Sequence, residues 1–121
     1  MQTSIKKWSA DAEYFFEEGC FITELSNSAD DSNLSIARAR VEPGKTTNWH
    51  SLVGISERYV VLEGEGLVEV GELEPQSVGV GDVVIIAPEQ RQRITNIGEQ
   101  DLVFLAICSP PFDTSAYQDL E

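Results

Sequence analysis

The sequence predicts an all-β protein, a single sandwich or barrel, on three observations. Apolar stretches of roughly five to eight residues recur along the chain, bounded by Gly, Pro, Asn and Asp clusters. Several of them alternate apolar and polar residues with the period of two that a half-buried strand requires. No segment sustains the 3.6-residue period of a long helix, so a βαβ layout is not supported.

The elements follow in order. Ser9 before ADAEYFFEE predicts a short helical turn, with Asp11 and Glu13 at its positive end and Gly19 as its stop. CFITEL (20–25) is a strand, NSADDSN a polar turn, and LSIARARV (34–41) a second strand ended by Glu42-Pro43-Gly44. ERYVVLEGEGLVEVG (57–71) predicts a hairpin around Gly64-Glu65-Gly66. GELEPQSVGVGD supplies short turns, and DVVIIA, QRITNIG and DLVFLAICS complete the strands. In the tail FDTSAYQDLE, Asp113 is placed to cap a last helical turn.

No repeat, low-complexity segment or linker divides the 121 residues. One domain, 1–121, is expected, with a barrel core at about 19–108, an N-terminal arm at 1–18 and a tail at 109–121. A chain of this length buries roughly two-thirds of its unfolded surface, which is enough for a core without staples. No apolar run reaches the ~18 residues of a membrane span, and the start lacks the apolar core of a signal peptide. The expectation is a cytoplasmic protein with no membrane partner.

Charge filters function. Eight Lys and Arg against 21 Asp and Glu give a formal charge of −13, which repels phosphate backbones and argues against nucleic acid. The pairs Arg38/Arg40 and Arg91/Arg93 leave an anionic small molecule open. Read blandly, they are edge-strand charges that keep a sheet from pairing further. Cys20 and Cys108 lie in apolar runs outside any C-x-x-C pair, and are expected as buried, reduced thiols.

One segment carries a specific resemblance. Gly44-KTTNW-His50-S-Leu52-VGIS-Glu57-RYVVLE-Gly64 resembles the first motif of the cupin family, G-x5-H-x-H-x3,4-E-x6-G, at every spacing. Gly44, His50, Glu57 and Gly64 match, and Leu52 stands where the second histidine belongs. The second motif, G-x5-P-x-G-x2-H-x3-N, is kept less well. Aligned on Gly81, it puts Ala87 at the proline place with Pro88 one residue late, and Glu89 at the glycine place. Gln92 then falls at the histidine place, and Asn96 matches. The resemblance covers roughly residues 34–108. It implies a cupin jelly roll, a double-stranded β-helix barrel, to which the residues themselves add a short helical turn at each end. It also implies a homodimer, since small cupins pair through their sheets.

The family's metal site, three histidines and a glutamate, cannot be complete in a chain whose only histidine is His50. What remains is His50, Glu57 and Gln92, a trio expected to hold a divalent Mn, Fe, Ni, Cu or Zn weakly if water or substrate completes the shell. The alternative is a hydrogen-bonded polar cluster inside the barrel. Strand parity places Tyr59 and Val61 with Glu57, and Ile94 and Asn96 with Gln92, so Leu52, Tyr59, Gln92, Ile94 and Asn96 are the expected pocket residues. Trp49 is expected on the opposite face from His50, at the rim or a subunit contact. His50, Glu57 and Tyr59 are the catalytic candidates. Three functions fit: a small-molecule-binding cupin, a cupin isomerase or lyase rather than an oxygenase, and a dimerising structural barrel.

Overall fold

The computed structural model describes all 121 residues, which form two antiparallel sheets and two single 3₁₀ turns. The strands are β1 (Tyr14–Phe16), β2 (Cys20–Ser26), β3 (Ser35–Val41), β4 (His50–Leu52), β5 (Ser56–Glu63) and β6 (Gly66–Val70). Then follow β7 (Gln76–Val78), β8 (Val83–Ile86), β9 (Gln92–Asn96), β10 (Leu102–Ser109) and β11 (Tyr117–Asp119). The first sheet has the order β1-β2-β3-β10-β5-β8, the second β11-β4-β9-β6-β7. From β3 onward the chain steps back and forth between the sheets, except that β6 and β7 pair within the second, and this is the winding of a double-stranded β-helix. No helix is long and apolar enough to cross a membrane.

Alternation decides which residues face inward. In β5, Glu57, Tyr59 and Val61 are buried while Arg58 and Val60 are only half-buried. In β9, Gln92, Ile94 and Asn96 are buried and Arg93 and Thr95 are not. Both rows point between the sheets, as a period of two requires. The main core there joins Ile22, Val41, Val61, Val68, Ile86, Ile94, Leu102 and Phe104. A smaller cluster of Leu52, Ile55 and Cys108 closes the other end, with Phe112, Ala116 and Tyr117 against it.

Three local expectations are corrected. Residues 57–71 do not form a hairpin: β5 pairs with β10 and β8, whereas β6 pairs with β9 and β7. Gly64 marks a crossing between sheets. Its φ is +81°, and a Cβ there would lie 2.6 Å from the carbonyl oxygen of Asp101, so both conformation and space demand glycine. The N-terminal helical turn is capped by Ser9 but spans only Ala10–Ala12, and Tyr14–Phe16 then pairs with β2 as strand. Three consecutive aromatics favour a pleated, half-buried surface over a helix, and Gly19 (φ +101°) turns the chain between β1 and β2 rather than ending a helix. The tail has its turn, capped by the Asp113 side chain at Ser115 N, and continues into β11.

The paired arginines are occupied. Arg40 donates to Glu13 at 2.7 and 3.0 Å and to Asp101 at 3.3 Å, and lies over the Phe21 ring. Arg38 is 3.5 Å from Glu13, and Arg93 donates to Glu69 at 2.7 Å. Arg91 and Arg93 both lie over Trp49, which accounts for that tryptophan on the face away from His50.

Candidate functional site

Strand pairing assembles a polar cluster between the two apolar ones. His50 and Gln92 are register partners of β4 and β9, which sets their side chains next to each other. Glu57 and Cys108 are register partners of β5 and β10 in the facing sheet. Tyr59, two residues beyond Glu57, reaches across and donates its hydroxyl to Oε1 of Gln92. The carboxamide passes the polarity on, donating Nε2 to Oε1 of Glu57 at 2.9 Å. The Cys108 thiol, at 3.7 Å, is the partner of the other carboxyl oxygen.

His50 is only 2% exposed and is held on three sides. Its Nδ1–H donates to the Asn48 carbonyl at 2.6 Å, which assigns the lone pair to Nε2. Nε2 lies 3.0 Å from Oε2 of Glu18, and Tyr117 of β11 stacks on the ring at 5.3 Å. Burial pushes the imidazole pKa down from its ordinary value, against the opposing pull of the Asn48 carbonyl and the Glu57 charge. It therefore favours a neutral histidine whose Nε2 accepts a hydrogen bond from the protonated Glu18 carboxyl.

Both carboxyls are raised. Burial lifts Glu18 to about 7, and burial with the nearby Glu18 charge lifts Glu57 to about 7. The thiols of Cys20, bonded to Glu18, and Cys108 are pushed up by burial, so they are protonated donors and not thiolates.

A cleft of about 410 Å³, its open mouth included, leads to this cluster. Glu18, Glu24, Glu57, Cys108 and Ser35 provide its polar lining, and Tyr14, Phe16, Ile22, Ala37, Ala106 and Phe112 the rest. Of the residues expected at the site, only Glu57 lines this cleft. His50, Tyr59 and Gln92 stand one layer behind and hold the carboxyls in place. Leu52 packs in the small cluster with Ile55 and Cys108. Ile94 and Asn96, expected at the pocket, face inward as parity requires but belong to the packing. Ile94 is fully buried in the main core, and Asn96 donates to the carbonyls of Val41 and Gln100. Glu18 and Glu24 were outside the expected set because their segment reads as a helical arm followed by a plain strand. The aromatic run Tyr14-Phe15-Phe16 was the available signal. Read as strand, it places Phe16 and Glu18 on one face.

The donors do not fit the family's three-histidine, one-glutamate centre. Leu52 supplies no ligand atom, the Gln92 oxygen is engaged by Tyr59 and its amide faces Glu57, and Nε2 of His50 faces Glu18. No three His, Cys, Asp or Glu side chains converge as a ligand set.

Known proteins resemble this chain along nearly its whole length. The family model for a cupin domain matches residues 37–108. Uncharacterized protein MJ1618 of Methanocaldococcus jannaschii is 33% identical over 110 residues, 89% of this chain and 87% of that protein. Among solved structures, KdgF from Halomonas sp. superposes with a TM-score of 0.81 at 16% identity, covering 94% of this chain and 99% of its own. Pac13, described as a nucleoside dehydratase and known from Streptomyces, superposes with a TM-score of 0.78 at 18% identity, covering 98% and 92%. Two sheets wound as a β-helix, first-motif spacing held from Gly44 to Gly64, and a match over most of the barrel agree: the chain belongs to the cupin family.

Proposed function

We propose that this cupin binds a small molecule in the Glu18–Glu57 cleft and acts on it by proton transfer, as a lyase or isomerase. The observation that carries the reading is that two carboxyls, Glu57 buried and Glu18 half-buried, line one cleft and each has a backing group. Glu18 is backed by His50, and Glu57 by Gln92 and Tyr59. Burial raises both carboxyls and the Glu18 charge raises Glu57 further, so the two resist ionising together. One carboxyl is then a base and the other an acid, which is the division of labour that proton transfer needs.

In an elimination, the carboxylate takes a proton from a carbon next to an electron-withdrawing group. The C–H electrons become the new double bond, and the protonated carboxyl gives its proton to the departing hydroxyl, which leaves as water. In an isomerisation, the proton returns to a neighbouring atom instead. Neither route needs a redox partner. The fold's occurrence in a protein described as a nucleoside dehydratase supports the class of reaction, not the substrate.

Solvent exchange tests it directly. The protein is incubated in D₂O with a panel of small hydroxy-carbonyl compounds, nucleosides and amino alcohols, and carbon-bound deuterium is followed by NMR. Exchange or water loss is expected for at least one compound, falling about 10²-fold or more in Glu57→Gln. Turnover unchanged in both Glu57→Gln and Glu18→Gln would overturn the proposal.

A further inference from the structure

The cleft's lining is one-sided in charge. Three carboxyls, Glu18, Glu24 and Glu57, face it, and no lysine or arginine does. Five of the chain's eight lysines and arginines are engaged elsewhere. Arg38 and Arg40 are paired with Glu13, Arg93 with Glu69, and Lys6 with Asp30. Arg58 donates to the Ser56 carbonyl and the Ser109 hydroxyl. An anionic ligand would enter this cleft against like charge, with no counter-charge to meet it.

Glu57 also has unused capacity. It is only 8% exposed, Gln92 serves Oε1, and Oε2 has just the long contact from the Cys108 thiol. A buried carboxylate oxygen without an N–H or O–H donor is costly and is a ready seat for a charged one. The remaining wall is aromatic: Tyr14, Phe16 and Phe112, with Phe16 and Phe112 edge to face at 6.1 Å. Ring faces attract cations and also cover apolar groups.

We propose that the ligand of this cleft is an organic ammonium compound, its charged nitrogen between Glu18 and Glu57 and its apolar part against Tyr14, Phe16 and Phe112. This rests on the reading of Glu18 and Glu57 as the working groups, and it names the class of molecule they receive. An ammonium supplies a strong donor to Oε2 of Glu57 and brings the counter-charge that the cleft lacks. A neutral hydroxyl does only the first of these.

Three probes of one shape and different charge decide it: benzylamine, benzyl alcohol and benzoate, titrated at pH 8 into the intact protein and followed by amide chemical shifts. Benzylamine is expected to move the resonances of Glu18, Glu57 and Phe112, at about tenfold or more lower concentration than the alcohol. Benzoate is expected to leave them still. Glu57→Gln and Glu18→Gln each weaken benzylamine about tenfold and weaken the alcohol far less. Glu24→Gln, at an exposed rim position, gives a smaller loss in the same direction and remains informative if a buried variant fails to fold. Alcohol or benzoate binding at the cleft as tightly as benzylamine overturns the ammonium assignment and leaves the two-carboxyl site standing. Benzylamine binding indifferent to all three variants overturns it too. If no probe moves the cleft resonances, both the ligand class and the site fall.

Discussion

Oε2 of Glu18 lies 3.0 Å from Nε2 of His50, joining the turn after β1 to the strand that carries the family's one retained histidine. In the family pattern that imidazole faces metal. Here it faces a carboxyl which burial holds at about 7. The Asn48 carbonyl on Nδ1 fixes the tautomer, so Nε2 is an acceptor and Glu18 its donor.

The first prediction concerns that pair. Nitrogen-15 NMR of the His50 ring is expected to show the Nδ1–H tautomer at pH 7, with Nε2 hydrogen-bonded. The second protonation is expected below the ordinary histidine value, because burial disfavours the cation. A titration at or above about 6.5 would contradict the assigned proton positions.

Stability should fall as pH rises toward neutrality. Glu18 and Glu57 have folded-state pKa values of about 7, above the unfolded carboxyl range, so the native state binds more protons between roughly pH 4.5 and 7. The stability each contributes is present in full at the acid end of that window and is lost as pH rises through it. Glu24, also raised by burial, acts in the same direction. Glu13 and Asp113 are lowered, and His50 is depressed, so these three weaken the protein in acid. A maximum in Tm near pH 5 follows. Glu57→Gln, which removes the charge and keeps the shape, is expected to flatten the alkaline side and to gain on the order of 1–3 kcal/mol at pH 8. A destabilised Glu57→Gln protein at that pH would refute this.

Rebuilding the family's donors should restore metal affinity. Leu52→His with Gln92→His returns two imidazoles beside His50 and Glu57 and removes the amide that occupies the centre. The double variant is expected to bind Zn or Ni at least about 10²-fold more tightly than the parent, since imidazole far outranks an amide for these ions. Thermal shifts with and without chelator measure it. Equal affinity in parent and variant would mean that the missing histidines do not limit binding.

Glu89 is the single non-glycine residue with positive φ, at +68°, and it occupies the glycine place of the second motif. The backbone has kept the family's left-handed turn while the residue has changed. Its N–H donates to the Leu52 carbonyl and its side chain accepts from Gly54 N at 3.3 Å, which offsets part of the strain. Glu89→Gly is expected to raise stability by about 1 kcal/mol, the usual cost of a side chain in that conformation. Chemical denaturation checks it, and a loss of stability would show that the side-chain contact outweighs the strain.

Much of this protein was determined by local sequence alone. Alternation with period two set the inward faces of β5 and β9, because a pleated strand leaves no other choice. Motif spacing brought His50, Glu57 and Gln92 to one place, and composition excluded any second histidine. What only the tertiary structure decided was partnership. That β5 and β6 part into different sheets, that Glu18 from the arm meets His50, and that Arg38, Arg40 and Arg93 are paired with carboxylates all depend on contacts distant in sequence. So does the division between groups that face the cleft and groups that hold them. Local pattern says which way a side chain points; only the packing of one sheet on another says what it meets there.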